Sequence, residues 1–244
     1  NSHDEVHTLL KKVPSSVLVV LDCAYFEYVT KADYVKPIDL LSEFDNLLIT
    51  KSFSKIHGLA SIRVGYGIAN PSLIEVLNRI RQPFNVNAIA QAMAFIAIND
   101  KKHIEQSIKL NSQQYEFLFN KLSKLGLECI PSVGNFITFR GDFIGKELFY
   151  GLMEKGVIVR PVDLYDMKDF IRVTIGTKDE NLKFGVNCYG YKPNKNNIEA
   201  TRMNLSGPIP TTRRQQELDR RVKEFRKTLS DILISPFNYL QWNR

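Results

Sequence analysis

Three short apolar runs, each bordered by residues able to do chemistry, constrain this chain more than any other feature. Val17-Leu18-Val19-Val20-Leu21 leads into Asp22, Asn46-Leu47-Leu48-Ile49-Thr50 leads into Ser52 to Lys55, and Val64-Gly65-Tyr66-Gly67-Ile68-Ala69 follows Arg63. Short, almost unbroken apolar runs read as buried strands. Helix signals follow them. Pro71-Ser72 opens one helix, and the run from Ala88, rich in Ala, Ile and Met, makes a second. Ile104, Ile108, Tyr115, Leu118 and Leu122 share one face of a third, which stops at Gly126. Open α/β sheets bind their ligands outside the carboxyl ends of the strands, so Asp22 and Lys55 are expected at one edge of one sheet.

The later sequence predicts a smaller α/β unit. Ile137-Thr138-Phe139 is expected as a strand, Gly145 to Lys155 as a helix, and Val157-Ile158-Val159 and Ile171-Arg172-Val173-Thr174 as further strands. The chain therefore divides into residues 1–98, 99–184 and 185–244. In the third part, Gly185 to Asn197 is polar and turn-rich and reads as a loop. After a capping box at Thr212 and Gln215, Leu218, Val222, Phe225, Leu229 and Ile232 form the apolar stripe of an amphipathic helix of about 20 residues.

Lys55 stands in Ser52-Phe53-Ser54-Lys55, eight residues before Arg63. A lone Ser-x-Ser-Lys is a common surface sequence, and an aspartate closing a strand is more often a turn residue or a helix cap. Their joint placement points further. A primary amine condenses with an aldehyde, hydroxyls and a guanidinium grip a phosphate, and a carboxylate stations itself against a pyridinium nitrogen. Asp22 with Tyr25, Ser52, Ser54, Lys55 and Arg63 together point to pyridoxal phosphate.

The stretch from Val17 to Asn87 resembles the histidinol-phosphate aminotransferases, pyridoxal-phosphate enzymes of the aspartate-aminotransferase-like fold. The resemblance rests on Leu21-Asp22-Cys23-Ala24-Tyr25, on Ser52 through Arg63 and on Arg81 through Asn87. It continues through Pro131 to Phe136, Gly156 through Pro161 and Ile171 through Thr177, covering about residue 4 to Phe184. It implies an α/β fold with part of a large cofactor domain and a small domain. It also implies that Lys55 binds the cofactor covalently and shuttles a proton. For that work its amine, ordinarily near ~10.4, must titrate lower. Asp22 would keep the pyridine nitrogen protonated, Tyr25 would meet the ring oxygen, and Ser52, Ser54 and Arg63 would hold the phosphate. Arg172 would pair with the substrate carboxylate through its planar fork, and Arg160 would meet a phosphate on the substrate.

The implied reaction moves an amino group between glutamate and an imidazole phosphate keto partner, with 2-oxoglutarate as co-substrate, in histidine biosynthesis, and the implied assembly is a homodimer. Another aminotransferase specificity, a threonine-phosphate decarboxylase of the same fold, or an inactive fragment working only through protein contacts are the alternatives. The family usually has Glu where this chain has Cys23, next to the cofactor ligand. Its Gly-rich phosphate turn, stacking aromatic and Asn-Pro-x-Gly motif all belong to sequence preceding Asn1, so those ligands are expected from outside these 244 residues. A surface left uncovered by that absence would be a solubility liability.

Composition closes off other classes. The chain is 44% hydrophobic and 24% charged, with no apolar run near the ~20 residues a bilayer span needs and no basic-then-apolar leader. Its net charge of +7 lies mostly in residues 185–244, where 11 Lys/Arg face 5 Asp/Glu. A solvated helix face accounts for that surplus, and no nucleic-acid partner is expected. Three widely spaced cysteines (Cys23, Cys129, Cys188) fit a reduced, cytoplasmic setting. The four histidines have no metal-ligand spacing, so no metal is expected.

Overall fold

In a computed structural model, residues 2–189 are described. They lie within one compact unit built on two sheets. Helix α1 (His3–Lys12) opens the chain with a capping box between Ser2 and Glu5 and buries Val6 and Leu10. Strand β1 (Val19–Asp22) follows, then a 3-10 turn at Phe26–Tyr28, the short α2 (Pro37–Leu40), β2 (Leu47–Ser52) and β3 (Gly65–Ala69). The first sheet has the order β1-β2-β3, with β1 parallel and β3 antiparallel to β2. Leu47 and Ile49 of β2, almost fully buried, pack with Leu10, Leu40 and Val35 on one side of it.

Helices α3 (Pro71–Ile80), α4 (Ala88–Asn99) and α5 (Lys101–Lys124) come next. Asn70, Asn87 and Asp100 cap them by accepting hydrogen bonds from the backbone N–H groups of Ser72, Ala90 and His103. Helix α4 is apolar almost all round. It buries Ala90 and Ala94 but leaves Ile89, Phe95 and Ile96 mostly exposed. With Phe84, which is 96% exposed, it borders an open groove of about 920 Å³.

The second sheet comprises β4 (Glu128–Ile130), β5 (Phe136–Arg140), β6 (Arg160–Val162) and β7 (Met167–Thr174), in the order β4-β5-β7-β6 and antiparallel throughout. Helices α6 (Gly145–Glu154) and α7 (Lys178–Tyr189) complete the described chain. Leu118 and Leu122 of α5, Ile137 and Phe139 of β5, Leu148 and Leu152 of α6 and Ile171 of β7 form its core, all essentially without exposure.

The elements expected from the sequence are present, with two corrections. Val157-Ile158-Val159 is no strand. Gly156 takes a left-handed conformation (φ 71°), and the Val157 N–H donates back to Leu152 O at 2.9 Å, so these residues unwind α6. The strand is Arg160–Val162 instead, with Pro161 tolerated because β6 is an edge strand. Gly185, read as the start of a loop, lies inside α7. The helix is set by Thr177 and Glu180, which cap each other, and by Phe184 and Cys188, which pack on the core. The amphipathic helix expected after Thr212 lies outside the described residues.

Candidate active site

Sheet register brings Asp22, Ser52 and the segment that follows Ser52 to one edge of the first sheet. Asp22, the last residue of β1, pairs with Thr50 of the parallel strand β2, so both strands point their carboxyl ends the same way. Ser52 at the end of β2 pairs with Gly65 at the start of β3. Beyond them, Phe53 N–H donates to Val64 O at 3.2 Å. Arg63 therefore enters β3 beside the turn that carries Ser54 and Lys55.

Each segment leaving the sheet is pinned. The Cys23 N–H donates to Thr50 O at 2.8 Å, which draws the chain after β1 over the end of β2. Ala24 N–H donates to Asp22 Oδ1 at 3.0 Å, fixing the carboxylate. Tyr25 then starts the 3-10 turn. That turn is tied down by Glu27, whose carboxylate lies 2.6 Å from the Lys51 ammonium. The two side chains are only 16% and 17% exposed, and Lys51 also covers the Phe26 ring. After β2, Ser52 Oγ accepts the Ser54 N–H at 3.0 Å, so its own hydroxyl proton is left for an external acceptor.

Lys55 sits in a tight turn closed by Gly58 N–H to Lys55 O at 3.0 Å. Its Nζ lies 4.8 Å from the centre of the Tyr25 ring. Among the described residues no carboxylate stands at ion-pair distance from it. Arg63 adopts the left-handed conformation (φ 59°, ψ 50°) rare for a residue with a side chain, and one of its guanidinium nitrogens donates to Ala60 O at 2.6 Å. That engages one of five guanidinium N–H donors. Burial pushes the Cys23 thiol above its ordinary range, which keeps it neutral beside Asp22.

Arg172 reaches the same place through aromatic rings from the other sheet. The Tyr25 ring meets Phe136 edge-on at 5.3 Å between centres, and the Arg172 guanidinium lies 4.9 Å over the Phe136 ring. Amine, phenol, phenyl and guanidinium thus form one chain of contacts, Lys55–Tyr25–Phe136–Arg172. Beside it lies a cavity of about 310 Å³ lined by Asp22, Tyr25, Ser132, Gly134, Phe136 and Thr138 among others. Thr138 pairs with Arg172 across β5 and β7, and Arg172 pairs with Arg160 across β7 and β6. Paired residues share a face of their sheet, so Arg160 stands on the cavity side, exposed and next to a like charge. Two cross-strand arginines without an intervening carboxylate repel each other and favour an anion between them.

Phe136 and the Lys51–Glu27 pair were not foreseen as site residues. Neither carries a local signal in the sequence, because their roles depend on contacts between distant segments.

A model of the family described as aminotransferase class I and II matches residues 1–187. The chain belongs to that family. Relatives within it include histidinol-phosphate aminotransferases of Caldicellulosiruptor saccharolyticus, 45% identical over 74% of this chain and 51% of that protein, and of Methylobacillus flagellatus, 46% identical over 75% and 50%. The chain spans about half the length of these curated relatives. Among solved structures, histidinol-phosphate aminotransferase from Sinorhizobium meliloti in complex with pyridoxal-5'-phosphate superposes with a TM-score of 0.71 at 24% identity, covering 76% of this chain and 52% of that one. That likeness establishes the aspartate-aminotransferase-like α/β fold, with its mixed strands and flanking helices.

Proposed function

We propose that this chain carries the amine-bearing part of a pyridoxal-phosphate-dependent aminotransferase that exchanges an amino group between histidinol phosphate and 2-oxoglutarate, in histidine biosynthesis. Identity near 45% to histidinol-phosphate aminotransferases supports the substrate. The single observation that carries the reading is the chain of contacts joining Lys55, Tyr25, Phe136 and Arg172. It links an amine with no ion-pair partner among the described residues, through two aromatic rings, to the guanidinium proposed to bind carboxylate.

The donor set fits the cofactor: an amine, a carboxylate and a phenol for the ring, two hydroxyls and a guanidinium for the phosphate. When bound, pyridoxal phosphate supplies an aldehyde and a ring able to draw electrons from an attached carbon. Lys55 Nζ anchors it and moves a proton at the substrate α-carbon. Asp22, its carboxylate oriented by the Ala24 N–H, holds a proton on the ring nitrogen. Tyr25 Oη donates to the ring oxygen, and Ser52, Ser54 and Arg63 bind the phosphate. Arg172 grips the substrate carboxylate through both arms of its fork, and Arg160 takes the substrate phosphate.

Residues 1–98 then act as the cofactor side and 99–184 as the substrate side, joined by α5. A homodimer accords with the apolar face of α4 and the groove bordered by Phe84 and Phe95. A cytoplasmic location accords with three free thiols and with the finding that no helix among the described residues is long and apolar enough to cross a membrane.

The test adds pyridoxal phosphate to the whole chain, fixes any adduct with borohydride and maps it by mass spectrometry. Label concentrated on Lys55, with a visible absorption band lost in Lys55→Ala, is expected. Label spread evenly over surface lysines would refute the assignment.

A further inference from the structure

We infer that His103 is a positioning residue for Lys55, an inference that rests on the reading of Lys55 as the reactive amine. The Lys55 turn closes on two of its own backbone carbonyls. Phe53 O accepts Leu59 N–H at 2.9 Å and Lys55 O accepts Gly58 N–H at 3.0 Å. Ile56 O, adjoining the reactive residue, finds its partner 47 residues away in the His103 ring, with Nε2 at 2.8 Å. A carbonyl only accepts, so Nε2 carries the hydrogen and donates it. The Ile56 side chain is buried at 2% exposure, so both halves of that residue are immobilised.

His103 is itself held. Its backbone N–H donates to the capping Asp100 carboxylate at 3.1 Å in the first turn of α5. The same helix grips the substrate side of the site further along. Asn111 Nδ2 donates to Gly134 O at 3.3 Å, and Tyr115 Oη accepts the Ser132 N–H at 3.2 Å. Positions 103, 111 and 115 fall on one stripe of a helix. Ser132 and Gly134 line the cavity beside Phe136. One rigid helix therefore fixes the amine-bearing turn at its start and the substrate-side loop further along. His103 is the fastening at the Lys55 end.

Two readouts on the whole 244-residue chain test this. The first is amide hydrogen exchange at Gly58 and Leu59, without cofactor, against α6 as an internal reference. The second is the rate at which pyridoxal phosphate is fixed on Lys55 by borohydride. One hydrogen bond sets the scale, so His103→Leu should speed exchange in the turn by about three- to tenfold and slow fixation by a similar factor, with α6 unchanged. His103→Gln, which places an amide N–H at the same reach, should restore both. Exchange and fixation in His103→Leu equal to the unmodified chain would overturn the inference. So would acceleration of α6 to the same extent, which would make His103 merely a stability residue. Absence of label on Lys55 in the unmodified chain would sink the reading of Lys55 and this inference with it, whereas label there with unaltered variants sinks the His103 role alone.

Discussion

Asn181 is the polar residue most completely withdrawn from water among the described residues, at 3% exposure. Its side chain is nearly saturated. Oδ1 accepts Gly176 N–H at 3.0 Å, while Nδ2 donates to Gly176 O at 3.0 Å and to Gln114 Oε1 at 3.1 Å. Gly176 is the turn that follows β7, the strand carrying Arg172, and Gln114 lies on α5. Asn181→Leu removes three hydrogen bonds worth about 1 kcal/mol net apiece and leaves the half-buried Gly176 amide without its partner, so a loss of about 2–4 kcal/mol is expected. The conservative Asn181→Asp keeps the acceptor for Gly176 N–H but loses both donated bonds and sets a charge in a buried site. It should therefore rescue little. Urea titration followed by circular dichroism measures the change, with midpoint and slope reported separately. A loss below about 1 kcal/mol in Asn181→Leu would show that the turn re-satisfies itself, and the assignment of Asn181 as its clamp would be wrong.

Glu27→Gln leaves the Lys51 charge unpaired in a mostly buried setting and should cost about 1–3 kcal/mol in the same titration, with part recovered in the Glu27→Gln/Lys51→Met double variant. A loss in the double variant equal to that of the single would refute the pairing. Gly145→Ala places a Cβ 2.6 Å from Phe170 O and 2.9 Å from Lys168 O, both backbone, so α6 must shift from β7. The expected cost is about 1–3 kcal/mol despite the better helix former, and an unchanged urea midpoint would contradict it. Cys188 is half-buried, and the desolvation pushes its thiol up to about 11 from an ordinary 9.0. The folded state then keeps a proton that the unfolded chain gives up, so stability should fall as pH rises from about 9 to 11, by about 1–3 kcal/mol in all. Cys188→Ala should flatten that decline, measured by thermal unfolding across the alkaline range.

The first sheet was legible because its strands are apolar runs with the chemistry placed at their ends, and register then sets Asp22 and Ser52 at one edge of it. Helix α3 was legible from Pro71-Ser72, α4 from its Ala, Ile and Met content and α5 from its periodicity. Strand β4 was not expected, since three residues beginning with Glu128 carry no pattern of their own and gain strand form only from pairing with β5. Val157 to Val159 misled because β-branched residues favour strands until a helix end claims their backbone. Gly185 misled because a glycine weakens a helix locally while Phe184 and Cys188 hold it through burial. The family resemblance singled out Arg160 and Arg172 for anion binding, yet their cross-strand adjacency comes from pairing alone. Phe136, Glu27 and His103 acquire their roles through partners far along the chain, and no local signal marks such a partnership.

The left-handed backbone at Arg63 has a consequence for anyone improving this protein. A side chain there is held at an energetic cost of about 1–3 kcal/mol, which glycine would not incur. Selection for heat tolerance alone would accordingly reward Arg63→Gly, and the hardier molecules it enriched would lack the guanidinium proposed to hold the cofactor phosphate.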